Sequence, residues 1–77
     1  MGYNKHRIND SAENINRAID NYIVGFKASR NRMILKLRLI DGHTFEQLAE
    51  EYDMSVMQIK NIVYKGMETI SDHLRAE

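Results

Sequence analysis

Two helix-start signals, at Thr44 and at Ser55, constrain this chain more than any other feature. Thr44 is followed three residues later by Gln47, and Ser55 by Gln58. Each pair has the form of a capping box. The hydroxyl accepts a bond from the third residue's amide, and the Gln side chain reaches back to the cap. The first helix is therefore short, about nine residues, and Asp53-Met54 is its turn. Two helices joined by so short a turn must cross steeply. A small residue is needed at the crossing, and Ala49 stands there. A residue tolerant of positive φ is needed at the turn; Asp53 fills that slot, where glycine would be more usual. Leu48, Tyr52 and Met54 supply the flanking apolar positions, and Ile59 and Ile62 the two buried positions of the second helix. With every slot filled in register, the segment reads as a helix-turn-helix. The plainer alternative is two helices of an ordinary bundle.

The rest of the chain bounds what surrounds this motif. With 77 residues there is room for one small core, not for a nucleotide-binding α/β sheet. Cysteine and proline are absent, so there is no disulfide framework or thiolate chemistry, and few breakers interrupt the helices. No apolar run is long enough for a membrane span or a secretory signal. A small, reduced, cytoplasmic, mostly helical domain is expected. The zero net charge hides an asymmetry. Residues 1–40 carry eight Lys/Arg against three acids, and residues 41–77 carry three against eight. Such a dipolar domain either presents a basic face to an anion or has two solvated faces with no partner.

Met1–Asn9 has little apolar content and reads as a flexible tail, followed by one helical domain over residues 10–77. A first helix starts at Asp10 or Ser11, Asp10 with Glu13 suiting a capping box. Ile15, Ala18, Ile19, Tyr22, Ile23 and Phe26 give it one apolar stripe that reads as core. Gly25 weakens its last turn. A second helix spans Ser29 to Ile40, with Ile34, Leu37, Ile40 and Met33 facing inward and Arg30, Arg32, Lys36 and Arg38 mostly outward. Asp41-Gly42 ends it. The helix from Ser55 carries Ile59, Ile62, Val63, Gly66, Met67 and Ile70 on one face and frays beyond Ser71. No segment alternates with a period of two. The expected fold is all-α, a small four-helix domain containing a helix-turn-helix at residues 44–70.

With the preceding helix M-I-L-K-L-R-L-I-D-G, this segment resembles region 4 of bacterial sigma factors, which reads the upstream promoter element. It also resembles short region-4-like proteins of phages and prophages of Gram-positive bacteria, in which an I-K-N-I-V-Y-K string recurs. The resemblance covers about Ser29 to Ile70. It implies a small transcription regulator that binds double-stranded DNA, with RNA polymerase as a further partner. Arg30 and Arg38 match the family's phosphate-holding basic residues. Thr44 and Phe45 match the helix start that meets a phosphate through its amides, which suits the free N–H groups and the helix dipole. Lys60 and Lys65 match basic residues of the recognition helix, and Asn61 a glutamine that reads a base edge; Asn can pair bidentately with adenine. Where principal sigma factors carry an arginine and a glutamate, this chain has Val56 and Met57. Neither can donate a hydrogen bond to a base. They are suited to a thymine methyl or to a protein surface. Met57, Asn61, Tyr64 and Glu68 should point almost opposite the core. Separate regions for binding polymerase and opening DNA are lacking, so the chain is not expected to initiate transcription alone.

Other chemistry is not evident. His6, His43 and His73 are too scattered for a metal cluster. Glu46, Glu50, Glu51 and Asp53 read as a solvated helix face, with no loop to supply further oxygens. Ser11, Ser29, Ser55 and Ser71 sit near expected helix ends, where capping accounts for them. No catalytic residue, metal site or cofactor is expected, and the chain does not read as an enzyme. Two rivals to the DNA-binding regulator remain. One is a phage protein-interaction module that docks on RNA polymerase or another host protein. The other is a homodimeric repressor using the Ile15–Phe26 helix as its dimer face. Monomer and homodimer both stay open.

Overall fold

A computed structural model describes residues 11–75; the expected tail Met1–Asn9, with Asp10 and His6, lies outside them. Four helices follow one another: α1 (Ala12–Tyr22), α2 (Ala28–Leu39), α3 (Phe45–Tyr52) and α4 (Val56–Arg75). No strand forms among the described residues. The long α4 packs against each of the other three helices. Ile19, Ile34, Leu35, Leu48, Ile59 and Ile70 are fully buried around it, with Val63 nearly so. Burying a Leu or Ile side chain contributes about 1.5–3 kcal/mol, so these residues dominate the stability of so small a domain.

The cap of α1 is Ser11, whose hydroxyl accepts from the Asn14 amide at 3.2 Å. The helix ends a turn earlier than its apolar stripe suggests. Ile23 is its extended C-cap, and Gly25 turns the chain at φ +97°. Arg32 explains the stop: its Nε donates to the Ile23 carbonyl at 2.7 Å, closing the helix end. The expected stripe is corrected accordingly. Ile15, Ala18, Ile19 and Ile23 are core, whereas Phe26 is 88% exposed and Tyr22 41% exposed.

The next helix, α2, begins at Ala28 behind Lys27, which sits in the left-handed region at φ 59°. Ser29 is thus inside the first turn and is not a cap. The inward face also differs from expectation. Ile34 and Leu35 are fully buried, Met33 is 49% exposed, and Leu37 and Ile40 are only half-buried. The reason is that α2 packs against α1, α3 and α4. Apolar residues around most of its circumference find partners, so no single stripe marks its inner side. Lys36 bridges to Asp20 of α1 at 2.7 Å; a partly exposed pair of this kind is worth about 0–1 kcal/mol.

The helix-turn-helix forms as expected. Thr44 N–H donates to Gln47 Oε1 at 2.8 Å, and Gln47 N–H to Thr44 Oγ1 at 3.0 Å. The second box has the same form, with Ser55 N–H donating to Gln58 Oε1 at 2.9 Å and Gln58 N–H to Ser55 Oγ at 3.1 Å. Between them Asp53 takes the left-handed conformation at φ 54°, and the Met54 amide closes the turn on the Ala49 carbonyl at 2.9 Å. Beyond Ser71 α4 does not fray; it runs on to Arg75. Ser71 caps nothing and donates to the Glu68 carbonyl at 3.4 Å. His73 stacks on Tyr22 at 3.5 Å between ring centroids, which ties this far end to α1.

Candidate nucleic-acid interface

The outer face of α4 is the part of the helix that the core leaves uncovered. At about 100° per residue from buried Ile59, Lys60 stands at about 100°, Tyr64 at about 140°, Met57 at about 160°, Asn61 at about 200° and Lys65 at about 240°. Met57 is 66% exposed and Tyr64 39% exposed; Asn61 and Lys65 are exposed as well. The two lysines thus form the edges of an arc, with Met57, Asn61 and Tyr64 between them. Val56 falls at about 60°, towards the core side, and is half-buried. Of the two apolar residues at the start of α4, only Met57 is presented outward.

One edge of the arc is organised by Phe45. The Arg38 guanidinium carbon of α2 lies 4.1 Å from the Phe45 ring centroid, and Lys60 Nζ lies 5.6 Å from it. Tyr64 meets the same ring edge-on at 6.0 Å. Arg38 is further held by a 2.9 Å bond from Nη1 to the His43 carbonyl. Three helices therefore meet at Phe45, and four expected site residues, Arg38, Thr44, Phe45 and Lys60, come together there. A cation over an aromatic face is favoured by about 0.5–1 kcal/mol at exposed sites. That is enough to bias rotamers while the remaining guanidinium N–H groups stay available to an anion. The Thr44 amide is engaged by Gln47. An anion at the start of α3 would meet the first-turn amides beginning with Phe45, which have no partner within a helix.

The other edge borders a groove of about 260 Å³ between α4, α2 and the end of α1. Asn61, Lys65 and Asn31 line it, with Leu35 and Gly66 on its walls. Arg30 joins this side through Asn31: its Nε donates to Asn31 Oδ1 at 3.1 Å. The expected site residues are thus divided, with Arg38, Thr44, Phe45 and Lys60 on one flank and Arg30, Asn61 and Lys65 on the other. Sequence reasoning did not find the Phe45 cluster. The pieces lie on three helices, and only their packing brings them together. It also overestimated the free positive charge of α2. Arg32 is committed to Ile23 and Lys36 to Asp20.

The family profile described as Sigma-70, region 4 matches residues 28–72, more than half of the chain. The chain belongs to the sigma-70 region 4 family. It therefore carries a DNA-binding helix-turn-helix, α3 and α4 being its two helices. The region 4 match begins where α2 begins and leaves α1 outside it. No curated protein and no solved structure matches the chain. Among the described residues no group of three or more His, Asp or Glu could hold a metal ion. No helix among them is long and apolar enough to cross a membrane.

Proposed function

We propose that the protein is a small transcription regulator that lays the first turns of α4 in the major groove of duplex DNA. The supporting observation is the arc of α4, edged by Lys60 and Lys65, with Arg38 fixed beside the first. In this reading Arg30, Arg38, Lys60 and Lys65 hold phosphates of the two strands, the start of α3 approaches a further phosphate through the Phe45 amide, the Thr44 amide being taken by Gln47, and Asn61 reads a base edge. Met57 faces bases, with Val56 beside it. Recognition helices contact bases through their N-terminal residues, which fits the position of Glu68, an acid two turns further along the same face. The likeness of the Ile59–Lys65 string to short phage and prophage proteins supports a phage-encoded regulator acting in the bacterial cytoplasm.

Binding isotherms on a 24-base-pair duplex at several salt concentrations test this. Arg38→Ala and Lys65→Ala should each lower the magnitude of the salt slope by about 0.9 while weakening all sequences alike. Asn61→Ala should cost about 1–3 kcal/mol on the preferred site and little elsewhere. Retention of no duplex at low salt would overturn the reading.

A second reading is a module that docks on RNA polymerase or another host protein. It is favoured by Val24, which lines the groove, and by Phe26 two residues on, 68% and 88% exposed respectively. Under it, Phe26→Ser abolishes capture of purified polymerase while duplex binding is unaffected.

A further inference from the structure

We infer that the recognition helix reads thymine by its 5-methyl group through Met57, next to an adenine read by Asn61, so that its site is built on neighbouring A·T pairs. This rests on the DNA reading above and goes beyond it in naming the base chemistry.

The inference comes from what the arc offers. Val56 is turned towards the core side and half-buried. Tyr64 is packed edge-on against Phe45 at 6.0 Å, and Glu68 is an acid that phosphates repel. Lys60 is drawn to the Phe45 ring. That leaves Met57 and Asn61 as the side chains of the first two turns that project from the middle of the arc. A thioether is a weak acceptor with no donor, so Met57 cannot distinguish bases by hydrogen bonding. The major groove presents one apolar group among the four bases, the thymine 5-methyl, and the standard apolar contact there is with that methyl. Asn matches the N6 and N7 edge of adenine, with one donor and one acceptor in the right order. Four residues along a helix span about 6 Å, and successive base pairs rise about 3.4 Å per strand step. Met57 and Asn61 therefore address pairs one or two steps apart. Both choices fall on A·T pairs, and an unbranched, polarizable side chain adapts to a methyl without a fixed register.

The test uses the full chain and a random pool of 24-base-pair duplexes, followed by anisotropy isotherms on the best-retained duplex. Thymidines are replaced one at a time by deoxyuridine, which removes the methyl and leaves every hydrogen-bonding group of the pair in place. The expected result is an enriched site containing adjacent A·T pairs. One deoxyuridine there should weaken binding about three- to fivefold, the value of one buried methyl. Met57→Ala should bring the thymidine-to-deoxyuridine ratio to about one at that position, and Met57→Leu should restore part of it. An enriched site made of G·C pairs overturns the inference, as does equal binding of thymidine and deoxyuridine duplexes. A ratio that persists in Met57→Ala overturns it too, since the effect then lies in DNA stiffness. Binding without any enrichment rejects methyl reading but leaves DNA binding intact. Retention of no duplex at low salt rejects both.

Discussion

Phe45 and Asp53 each do locally what the residue type permits and the neighbours require. The Phe45 ring can gather Arg38 and Lys60 because its face is electronegative and half-exposed at the meeting of three helices. Asp53 accepts φ 54° at the turn because Asp and Asn tolerate the left-handed region better than other residues bearing a Cβ. Tyr52, one position earlier, carries a testable pH dependence. Burial, and then the neighbouring Glu51 carboxylate, raise its hydroxyl above the ordinary value of 10.0. The folded state thus favours the neutral phenol. Its contribution to stability is complete below the unfolded value of about 10 and is lost as pH rises through the raised folded value. Urea midpoints measured from about pH 8 to 11 should fall at the alkaline end, and Tyr52→Phe should flatten that fall.

Packing between elements is decided at Gly66. A Cβ there would lie 2.5 Å from Leu35 Cδ1 and 3.1 Å from Leu35 Cγ. Leu35 is fully buried, and its Cγ as well as both methyl groups would have to shift to admit that Cβ. Gly66 therefore sets how closely α2 approaches α4, at the expense of about 1 kcal/mol of helix propensity relative to Ala. Gly66→Ala should destabilise by about 1–3 kcal/mol through overpacking. In a Leu35→Ala background the same change should be neutral or stabilising, because the clash is gone and the propensity gain remains. A double-mutant cycle on urea midpoints reads this coupling directly; additive effects would separate the two residues. The end of α1 makes a contrasting prediction. Phe26→Ser should shift stability by no more than about 0.5 kcal/mol, as for other exposed positions. Ile19→Ala, at a fully buried site, should cost about 2–5 kcal/mol in the same melts.

At the scale of the molecule, the family match and the folding unit do not coincide. The match covers residues 28–72, but α1 supplies Ile15, Ala18 and Ile19, and its C-cap Ile23, to the core. Removing α1 would uncover the surfaces of α2 and α4 that it packs on. A chain of residues 28–77 should therefore lose its cooperative thermal transition by circular dichroism while the whole protein keeps one. The basic and acidic halves seen along the chain are also redistributed by folding. Arg17, Arg32 and Lys36 are engaged within the fold, while Lys60 and Lys65 stand on α4 with Arg38 beside the first, over Phe45. A chain of zero net charge thus still groups cations along α4.

The four-helix class, the two capping boxes, the turn at Asp53 and the buried face of α4 were legible in the sequence. Each depends on residues within a few positions of one another, where helical period, side-chain caps and a left-handed turn act without outside help. The end of α1 was not legible, because the Arg32 bond that closes it comes from another helix. Leu35 was missed as core because α2 is covered on several sides, and periodicity identifies an inner face only when one side is buried. The candidate site divides in the same way. The exposure of Met57 and Asn61 follows from helical geometry relative to Ile59. The Phe45 cluster and the commitment of Arg32 and Lys36 were settled by tertiary packing, since each depends on which helix lies beside which.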